Sequence, residues 1–486
     1  MRLGRRGICI DPTHRKIITN VVLSSPAMSL IAARLERLPF SGFHRRLLLM
    51  GGLGYCFDAM DAAVIAFVLP VVIPQWSLTS VDAGVLASAT FIGYFFGALA
   101  AGTLGDLIGR RRIMMWALAI YCITSFASAF VSSYTPFFWL RVFAGVGTGA
   151  ESVIVAPFLS EFVPKDYRGR FVGALAGFFS FGFFAAAVLG YALVSAAAWG
   201  WRLTIVITSM PIVMLLWWRR TLPESPRWLE SRGRISEAEA EMSRIEEEII
   251  RTHQQPLTQL EPTPTLDFKS QGGSVWNNLV TLVAPPLTSI SVMTWALWLS
   301  ITFSYYSFFT WIPTLLVQSG MTITRSFAYS ISIYAAMIPG YYSAAYFNDR
   351  IGRRATIVSY LIMGGVAAIG LAKAASNLQI IFAGVCLSFF MNGVYAGVYA
   401  YTSEIFPTRI RTTGVGLASA VGRLGAISAP ILVGAIFPRF GFAGVFGLTT
   451  LVLLVGAMVV MIFGVRTEGR SLEAIHELSI SQSDSA

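Results

Sequence analysis

Twelve apolar stretches, separated by short polar segments, dominate this chain of 486 residues. An α-helix needs about 20 predominantly apolar residues to cross a bilayer, and these stretches have about that length. Inside lipid, every backbone polar group must be satisfied within the protein, which favours helices. The sequence therefore predicts an all-α membrane protein with twelve transmembrane helices, at about residues 47–73, 81–104, 113–131, 137–160, 170–194, 202–219, 288–317, 326–347, 356–372, 378–403, 412–437 and 441–464.

The chain also repeats itself at an offset of 243 residues. Residues 105–111 read Gly-Asp-Leu-Ile-Gly-Arg-Arg, and residues 348–354 read Asn-Asp-Arg-Ile-Gly-Arg-Arg. The same offset relates Glu161 to Glu404 and Arg168 to Arg411. One offset shared by two separate charged motifs predicts two related bundles of six helices each. Duplicated membrane halves are common among secondary transporters, so the repeat favours a transport function.

The pattern divides the chain into five parts. We expect a cytoplasmic N-terminal tail (1–46), a first bundle (47–219), a cytoplasmic loop (220–287), a second bundle (288–464) and a cytoplasmic tail (465–486). In the loop, Ser236 with Glu239 predicts a capping box that opens a helix from Glu237 to about Arg251. The prolines and glycines that follow, up to Gly273, predict a flexible linker.

The net charge of +11 could indicate a nucleic-acid partner, but its distribution argues against one. Only four of the 36 Lys and Arg residues fall on one side of the predicted spans: Arg202, Arg325, Lys373 and Arg439. Two more, Arg141 and Arg423, fall within spans, and the remaining thirty lie on the side that carries both termini. Cytoplasmic loops are enriched in Lys and Arg, which predicts a cell-membrane protein with both termini in the cytoplasm, as in a bacterial inner membrane.

Eight charged residues lie in or near the repeated loops and are candidates for one shared role. The glycines of these loops permit tight turns, while the acids and arginines can pair across the bundle at the cytoplasmic side. They can serve turn formation and topology alone, or form an ionic lock that holds a gate shut in one state. We expect gating or structure rather than substrate contact, because these residues lie at the membrane edge: Asp106, Arg110, Glu161, Arg168, Asp349, Arg353, Glu404 and Arg411.

Five ionisable residues lie within the predicted spans, where a charge costs roughly 2.5–3.5 kcal/mol on insertion scales. Asp58 and Asp61, one turn apart in the first span, and Glu151 in the fourth are candidates for proton coupling. Burial and mutual repulsion favour a bound proton on at least one such acid. Arg141 is a candidate for a structural ion pair. Arg423, in the eleventh span, either pairs with an internal acid or binds an anionic substrate through its planar fork.

Aromatic and polar side chains follow one face of the seventh span and one face of the tenth. No Gln or Asn lies between Thr288 and Thr314, so the seventh span lacks the amides that would match the hydroxyls of a polyol. A flat aromatic ring between Tyr and Trp side chains, with its carboxylate held by arginine, fits better. The predicted substrate-binding residues are Trp298, Thr302, Tyr305, Tyr306, Asn392, Tyr395, Tyr399 and Arg423.

The loop motifs, together with Pro-Glu-Ser-Pro-Arg at 223–227 and Glu-Ile-Phe-Pro-Thr-Arg at 404–409, resemble the major facilitator superfamily. Three stretches resemble its niacin permeases and their metabolite:proton symporter and synaptic-vesicle-glycoprotein relatives: Phe-Asp-Ala-Met-Asp at 57–61, Phe-Ser-Tyr-Tyr at 303–306 and Gly-Arg-Leu-Gly at 422–425. Those permeases tend to read Gly-Glu-Leu-Pro in the fourth helix. This chain reads Ala-Glu-Ser-Val at 150–153, which keeps the acid Glu151.

The resemblance implies proton-coupled import of a small aromatic carboxylate by alternating access, with nicotinate as the specific expectation. In related organic-anion carriers an arginine of the eleventh helix is associated with anion recognition, which favours a substrate role for Arg423. A benzoate-type acid, a sugar or polyol, and a non-transporting receptor or scaffold stay open as alternatives. The sequence has no nucleophile–base pair, nucleotide loop or metal-ligand spacing, so it predicts neither an enzyme nor a cofactor. We expect a monomer whose partners are the substrate, protons and the bilayer.

Overall fold

The structure is a computed structural model that describes residues 28–253, 257, 275–285, 287–407 and 410–465. Side chains are described for these residues except 28–30, 103, 106, 253, 275–278 and 412. The helices of this part are α1 (Met28–Glu36), α2 (Gly42–Gln75), α3 (Ser80–Ile108), α4 (Arg110–Ser128), α5 (Tyr134–Ser160), α6 (Lys165–Leu189), α7 (Gly200–Thr208), α8 (Ile212–Thr221), α9 (Pro226–Ser231), α10 (Ile235–His253), α11 (Val275–Val283), α12 (Thr288–Gln318), α13 (Ile323–Ala335), α14 (Met337–Arg350), α15 (Arg353–Ala372), α16 (Asn377–Ile405) and α17 (Arg411–Phe463).

The twelve predicted spans map onto this order. Helices α7 and α8 together form the sixth span, and α13 with α14 forms the eighth. A π-helical turn, Gly190–Val194, extends α6. The eleventh and twelfth spans run together as α17, divided where Gly441 takes φ 59°, a backbone conformation that favours glycine. By length and composition alone, eight helical stretches in the described chain are long and apolar enough to cross a membrane.

The first membrane helix begins earlier than predicted, at Gly42 rather than near residue 47. Its first turn is polar, so hydropathy does not reveal it. His44 lies in that turn and is fully buried. The backbone N–H of Ser41 donates to His44 Nδ1 at 3.2 Å, and His44 Nε2 lies 3.1 Å from the Phe162 carbonyl. His44 thereby ties the start of α2 to the loop that follows α5.

The segment between the halves contains three helices, α9, α10 and α11, where the sequence predicted one. The predicted capping box is wrong: α10 begins at Ile235, so Ser236 lies within the helix. The ion pair between Arg234 and Glu237, with Nε 2.7 Å from Oε1, closes the first turn instead. The predicted linker, apart from Leu257, and the polar tail beyond Val465 lie outside the described residues.

The repeat seen in the sequence is also a repeat in the geometry. Gly109 and Gly352, which join paired helices, both have positive φ, 111° and 86°. In the first half, Arg110 pairs with Glu161, and in the second half Arg353 donates to Glu404 at 3.1 Å. The side chain of Arg168 bonds the Val163 carbonyl, and that of Arg411 bonds the Phe406 carbonyl, at the same offset. We call the end of the bundle that carries these loops the basic face.

At the basic face, α10 lies against the first half. Its buried residues Ala238, Met242, Ile245 and Ile249 recur at helical spacing and belong to one apolar cluster with residues of α1 and α2. Glu246 on the same helix forms ion pairs with Arg34 of α1, at 2.6 Å, and with Arg37 just after α1, at 2.7 Å. Helix α10 is therefore an integral part of the first half.

Replacing Glu246 with Gln is expected to loosen α1 and α10 at neutral pH by about 1 kcal/mol, because the pair is only partly buried. Burial by itself would raise the pKa of Glu246, but hydrogen bonds and charge from Arg34 and Arg37 hold it below its ordinary value. A lowered folded-state pKa means that the pair stabilises the protein above the unfolded value of about 4.3 and that this contribution disappears as pH falls through the folded value.

Hydrogen exchange of α1 and α10 between pH 7 and 4 measures this effect. The matched control is Glu247→Gln, which removes an exposed acid from the next position of the same helix. If the two variants exchange alike across the pH range, the ion pair does not hold the segment in place.

The two halves meet along helices α3 and α17, which run antiparallel. Close contacts pair Ser80 with Gly434 and Gly84 with Pro430. The Ser88 hydroxyl donates to the Ile427 carbonyl at 2.7 Å. These contacts lie at the end opposite the basic face. Towards the basic face the helices separate, since a Cβ built on Gly102 or Gly416 would meet no atom within 4 Å.

Candidate functional site

The aromatic faces predicted for the seventh and tenth spans meet across the interface of α12 and α16. The rings of Trp298 and Tyr399 are 4.9 Å apart at 88°, and those of Tyr305 and Tyr395 are 5.0 Å apart at 81°. Edge-to-face pairs of this kind are the favoured arrangement of aromatic side chains. Tyr399 remains 49% exposed, whereas Trp298 and Tyr305 are buried. The predicted aromatic lining is thus brought together in the second half.

Several of the predicted binding residues bond to the protein itself. Trp298 Nε1 donates to Thr402 Oγ1 at 3.0 Å, and Thr302 Oγ1 donates to the Gly422 carbonyl at 2.6 Å. Asn392 donates to Ser180 Oγ in the first half at 3.0 Å. In contrast, the Tyr305 hydroxyl has no hydrogen-bond partner within the described residues. Tyr305 therefore places a buried hydroxyl without a described partner within the aromatic lining.

Arg423 lies on α17 where the two halves meet. Its guanidinium carbon is 3.9 Å from the centre of the Tyr94 ring, and Nη2 donates to the Tyr94 hydroxyl at 3.0 Å. The Tyr306 hydroxyl is also hydrogen-bonded to this guanidinium. The side chain is partly exposed. Arg423 is surrounded by tyrosines, and its described hydrogen bonds are to these neutral groups.

Two residues beside Arg423, Phe91 and Tyr94, were missed by the sequence reasoning. Both lie on α3 in the first half, and the Phe91 ring is 4.2 Å from the ring of Tyr306. Tyr94 is a polar aromatic residue inside an apolar span, which is a signal that the sequence carried. That α3 faces α17 follows from the packing of the whole bundle, and no local sequence pattern predicts it.

The three intramembrane acids occupy two different environments. Asp61 is fully buried against Arg141, which is 1% exposed. Arg141 Nη1 lies 3.1 Å from Asp61 Oδ1, which also accepts hydrogen bonds from Ser125 Oγ (2.9 Å) and Thr208 Oγ1 (3.2 Å). Asp61 and Arg141 thus form a buried, hydrogen-bonded ion pair that ties together four membrane spans, on α2, α4, α5 and α7.

Asp58 and Glu151 form the second environment. Asp58 is 4% exposed and Glu151 is fully buried. Within the described residues, none of their four carboxyl oxygens has a hydrogen-bond partner. The Glu151 carboxyl packs on α2 so closely that a Cβ at Gly54 would lie 2.5 Å from its Oε1. A buried, unpaired carboxylate is costly, which favours the protonated form of such acids.

Tyr55 is near both this acidic pair and the tyrosines around Arg423. Its hydroxyl donates to the carbonyl of Ser152, the residue after Glu151, at 2.9 Å. It lies within electrostatic range of Asp58, Glu151, Tyr94 and Tyr399. The buried acids and the arginine therefore belong to one polar region that crosses from the first half to the second.

The candidate gating residues pair within each half, as the repeat geometry shows. Asp349 is 79% exposed and lies 3.7 Å from Arg353 of its own loop. Arg168 pairs with Glu36 at 3.0 Å, a partner that the sequence reasoning did not consider. The side chain of Asp106 lies outside the described residues. All of these loops are at the basic face.

The arrangement suits recognition of an organic anion. An exposed part of a guanidinium can bind a carboxylate bidentately, and tyrosine rings beside it can pack on a flat ligand. The two unpaired acids supply sites for protons. Among the described residues, no group of three or more His, Cys, Asp or Glu side chains is placed to hold a metal ion.

Comparison with known proteins gives consistent relatives. The family model described as sugar (and other) transporter matches residues 47–478. The chain is 35% identical to the niacin transporter NiaP of Acinetobacter baylyi, over 92% of this chain and 99% of that protein. It is 32% identical to the putative niacin/nicotinamide transporter NiaP of Bacillus subtilis, over 88% and 98% of the two chains. The benzoate transport protein of Acinetobacter baylyi is 26% identical, over 81% and 83%.

Solved structures agree on the fold. The xylose transporter XylE of Escherichia coli, in a partially occluded inward-open conformation, aligns with TM-score 0.71 over 89% of this chain and all of that one, at 18% identity. A D-xylose–proton symporter aligns with TM-score 0.69 over 87% and 98%, also at 18% identity. The predicted all-α architecture of twelve membrane helices is confirmed. The chain belongs to the sugar (and other) transporter family of the major facilitator superfamily, and it is a multi-pass membrane transporter rather than an enzyme.

Proposed function

We propose that this transporter imports a small aromatic carboxylate together with protons, with nicotinate as the substrate. The observation that carries the proposal is the position of Arg423, a partly exposed guanidinium among tyrosines at the junction of the halves. A carboxylate bound there exchanges water for a charge-assisted pair in a low-dielectric setting. The two NiaP relatives, which are named for niacin or nicotinamide, support the choice of substrate.

Proton coupling is proposed for Asp58 and Glu151. Both acids are buried and lack a partner among the described residues, so each is stable in the membrane when protonated and costly when charged. Access of water on one side or the other would then load and release the proton. Asp61, predicted with them from the sequence, has its charge balanced by Arg141. We assign Asp61 and Arg141 to the structure of the first half.

The transport cycle follows from the two-half architecture. We propose that 47–219 and 288–464 rock around a central site, as in other transporters built from repeats. The basic face would be cytoplasmic, consistent with the enrichment of cytoplasmic loops in Lys and Arg. The loop pairs Arg110–Glu161 and Arg353–Glu404 would act as gating elements with Asp106, Arg168, Asp349 and Arg411. The protein would work as a monomer.

Uptake by reconstituted vesicles tests the proposal. An inside-alkaline pH gradient is expected to drive accumulation of labelled nicotinate, and an inside-acid gradient to abolish it. If one proton accompanies one monoanion, the complex is neutral and a membrane potential alone drives little uptake, since each uncompensated charge contributes about 2.3 kcal/mol per 100 mV. Uptake that ignores the pH gradient would remove the symport assignment.

Substrate competition in the same vesicles separates the alternatives. Benzoate keeps the ring and the carboxylate but lacks the ring nitrogen, and glucose lacks both ring and charge. Preferential uptake of benzoate would reassign the substrate within the aromatic acids, as the benzoate transport relative suggests. Uptake of glucose alone would contradict the role of Arg423. Binding without any transport of the three compounds would favour a receptor or scaffold.

A further inference from the structure

The contact between Arg423 and Tyr94 joins the two halves of the protein, because Tyr94 lies on α3 and Arg423 on α17. It continues the antiparallel run that pairs Ser80 with Gly434 and Ser88 with Ile427. In that run, Tyr94 and Arg423 are the pair nearest the basic face. The arginine proposed to bind substrate is therefore oriented in part by the opposite half, in addition to its hydrogen bond with Tyr306 in its own half.

The backbone of Tyr94 is held by helix α5. A Cβ at Gly93 would lie 1.8 Å from the Val142 carbonyl oxygen, and one at Gly149 would lie 2.6 Å from the Tyr94 Cα. Such distances mean that the helix backbones touch, which only glycine permits. Gly149 is two residues before Glu151. Tyr94 is consequently fixed to the same segment that carries the proposed proton site.

The backbone of Arg423 is fixed on its own side. The carbonyl of Gly422 accepts the Thr302 hydroxyl at 2.6 Å, and a Cβ at Gly425 would lie 2.8 Å from the Leu299 carbonyl oxygen. Beyond the backbone, the guanidinium extends over the Tyr94 ring. A long side chain anchored only at its base would lose considerable rotamer entropy on binding an anion. An aromatic platform reduces that loss by holding the guanidinium in place beforehand.

We propose that Tyr94 is a positioning residue for anion recognition: its ring and hydroxyl hold the Arg423 guanidinium across the junction of the halves in the orientation that receives a carboxylate. This inference rests on the proposed substrate role of Arg423 and adds to it a residue of the other half. A carboxylate bound to Arg423 would then interact with a group that both halves hold in place. Helix α3 carries Tyr94 and packs against Gly149, two residues before Glu151.

A double-mutant cycle on purified protein tests the inference, with equilibrium binding of nicotinate and of nicotinamide as the readouts. Tyr94→Leu is expected to raise the nicotinate Kd about 3- to 30-fold, the range for loss of a cation–π contact. Tyr94→Phe, which keeps the ring and loses the hydroxyl, should raise it less. The nicotinamide Kd should change by no more than about twofold in either variant, because the amide has no full charge. Phe95→Leu, which removes the neighbouring ring that packs edge-to-face with Phe96, is the matched control and should leave both affinities unchanged.

The Arg423→Gln background decides the mechanism. There, Tyr94→Leu is expected to change the nicotinate Kd by no more than about twofold, because Tyr94 acts through the arginine. Equal losses in both backgrounds, or equal losses for acid and amide, would show that Tyr94 contacts the ligand or supports the fold, and would overturn the inference.

If Arg423→Gln weakens nicotinate binding and the Tyr94 variants do not, the positioning role of Tyr94 fails while the substrate site at Arg423 stands. If Arg423→Gln has no effect, both fail. Should Tyr94→Leu not fold, Tyr94→Phe in both backgrounds gives the same comparison.

Discussion

Arg423→Gln is expected to weaken nicotinate binding by about 1.5–3 kcal/mol, the contribution of a hydrogen bond to a charged group, or roughly 10- to 150-fold in Kd. Nicotinamide, which offers no full charge, should lose much less. Arg423→Lys should recover only part of the affinity, because lysine keeps the charge but lacks the planar fork. Equilibrium binding of labelled nicotinate and of labelled nicotinamide to the detergent-solubilised wild-type protein and both variants measures these changes.

The competing explanation is that Arg423 serves packing alone. In that case Arg423→Gln should harm binding of the acid and the amide equally, through a displaced Tyr94 and Tyr306. Equal loss for both ligands would therefore remove the substrate role of Arg423. Tyr399, which is exposed beside Trp298, provides a useful control: Tyr399→Phe removes a hydroxyl from the same aromatic lining without touching the charge.

Much of the architecture could be predicted because membrane insertion imposes strong rules on sequence. Long apolar stretches must be helical, and a repeated motif indicates a repeated bundle. The equivalence of Arg110–Glu161 and Arg353–Glu404 was visible in the shared offset before any geometry was known. Helix ends were less predictable, as at Gly42, because a polar first turn lies outside the apolar signal and is stabilised by tertiary contacts such as those of His44.

The sequence predicted which residue types make up the candidate site much better than which of these residues contact one another. Helical spacing placed Trp298 and Tyr305 on one face, and the structure brings that face against Tyr395 and Tyr399. Spacing alone could not separate Asp58 from Asp61, which are one turn apart. Their environments differ because side chains three residues apart on an α-helix point in directions about 60° apart around the helix axis. That rotation directs Asp61 to Arg141 and leaves Asp58 with Glu151 and without a hydrogen-bond partner in the described chain.

This difference predicts opposite results for two conservative substitutions in one helix. Asp61→Asn leaves the Arg141 charge buried without compensation, which is expected to destabilise the folded protein by about 3–5 kcal/mol. Asp58→Asn replaces a group that is neutral when protonated by a neutral group of the same shape, so the folded protein should be retained. The yield of monodisperse protein and its thermal unfolding, followed by tryptophan fluorescence, compare the two.

Transport assays should separate Asp58 and Glu151 from Asp61 in the same way. Asp58→Asn and Glu151→Gln are expected to bind nicotinate and to exchange it across vesicles, while accumulation driven by a pH gradient fails in at least one of them. For Asp61→Asn, adding Arg141→Gln removes the orphaned charge together with its partner. Replacing both members of a buried pair is often nearly neutral, so this double variant should recover folded protein, and with it pH-driven accumulation. Recovery of folding without accumulation would show that Asp61 carries the proton after all, and that the Asp61–Arg141 ion pair, rather than Asp58 and Glu151, is the coupling site.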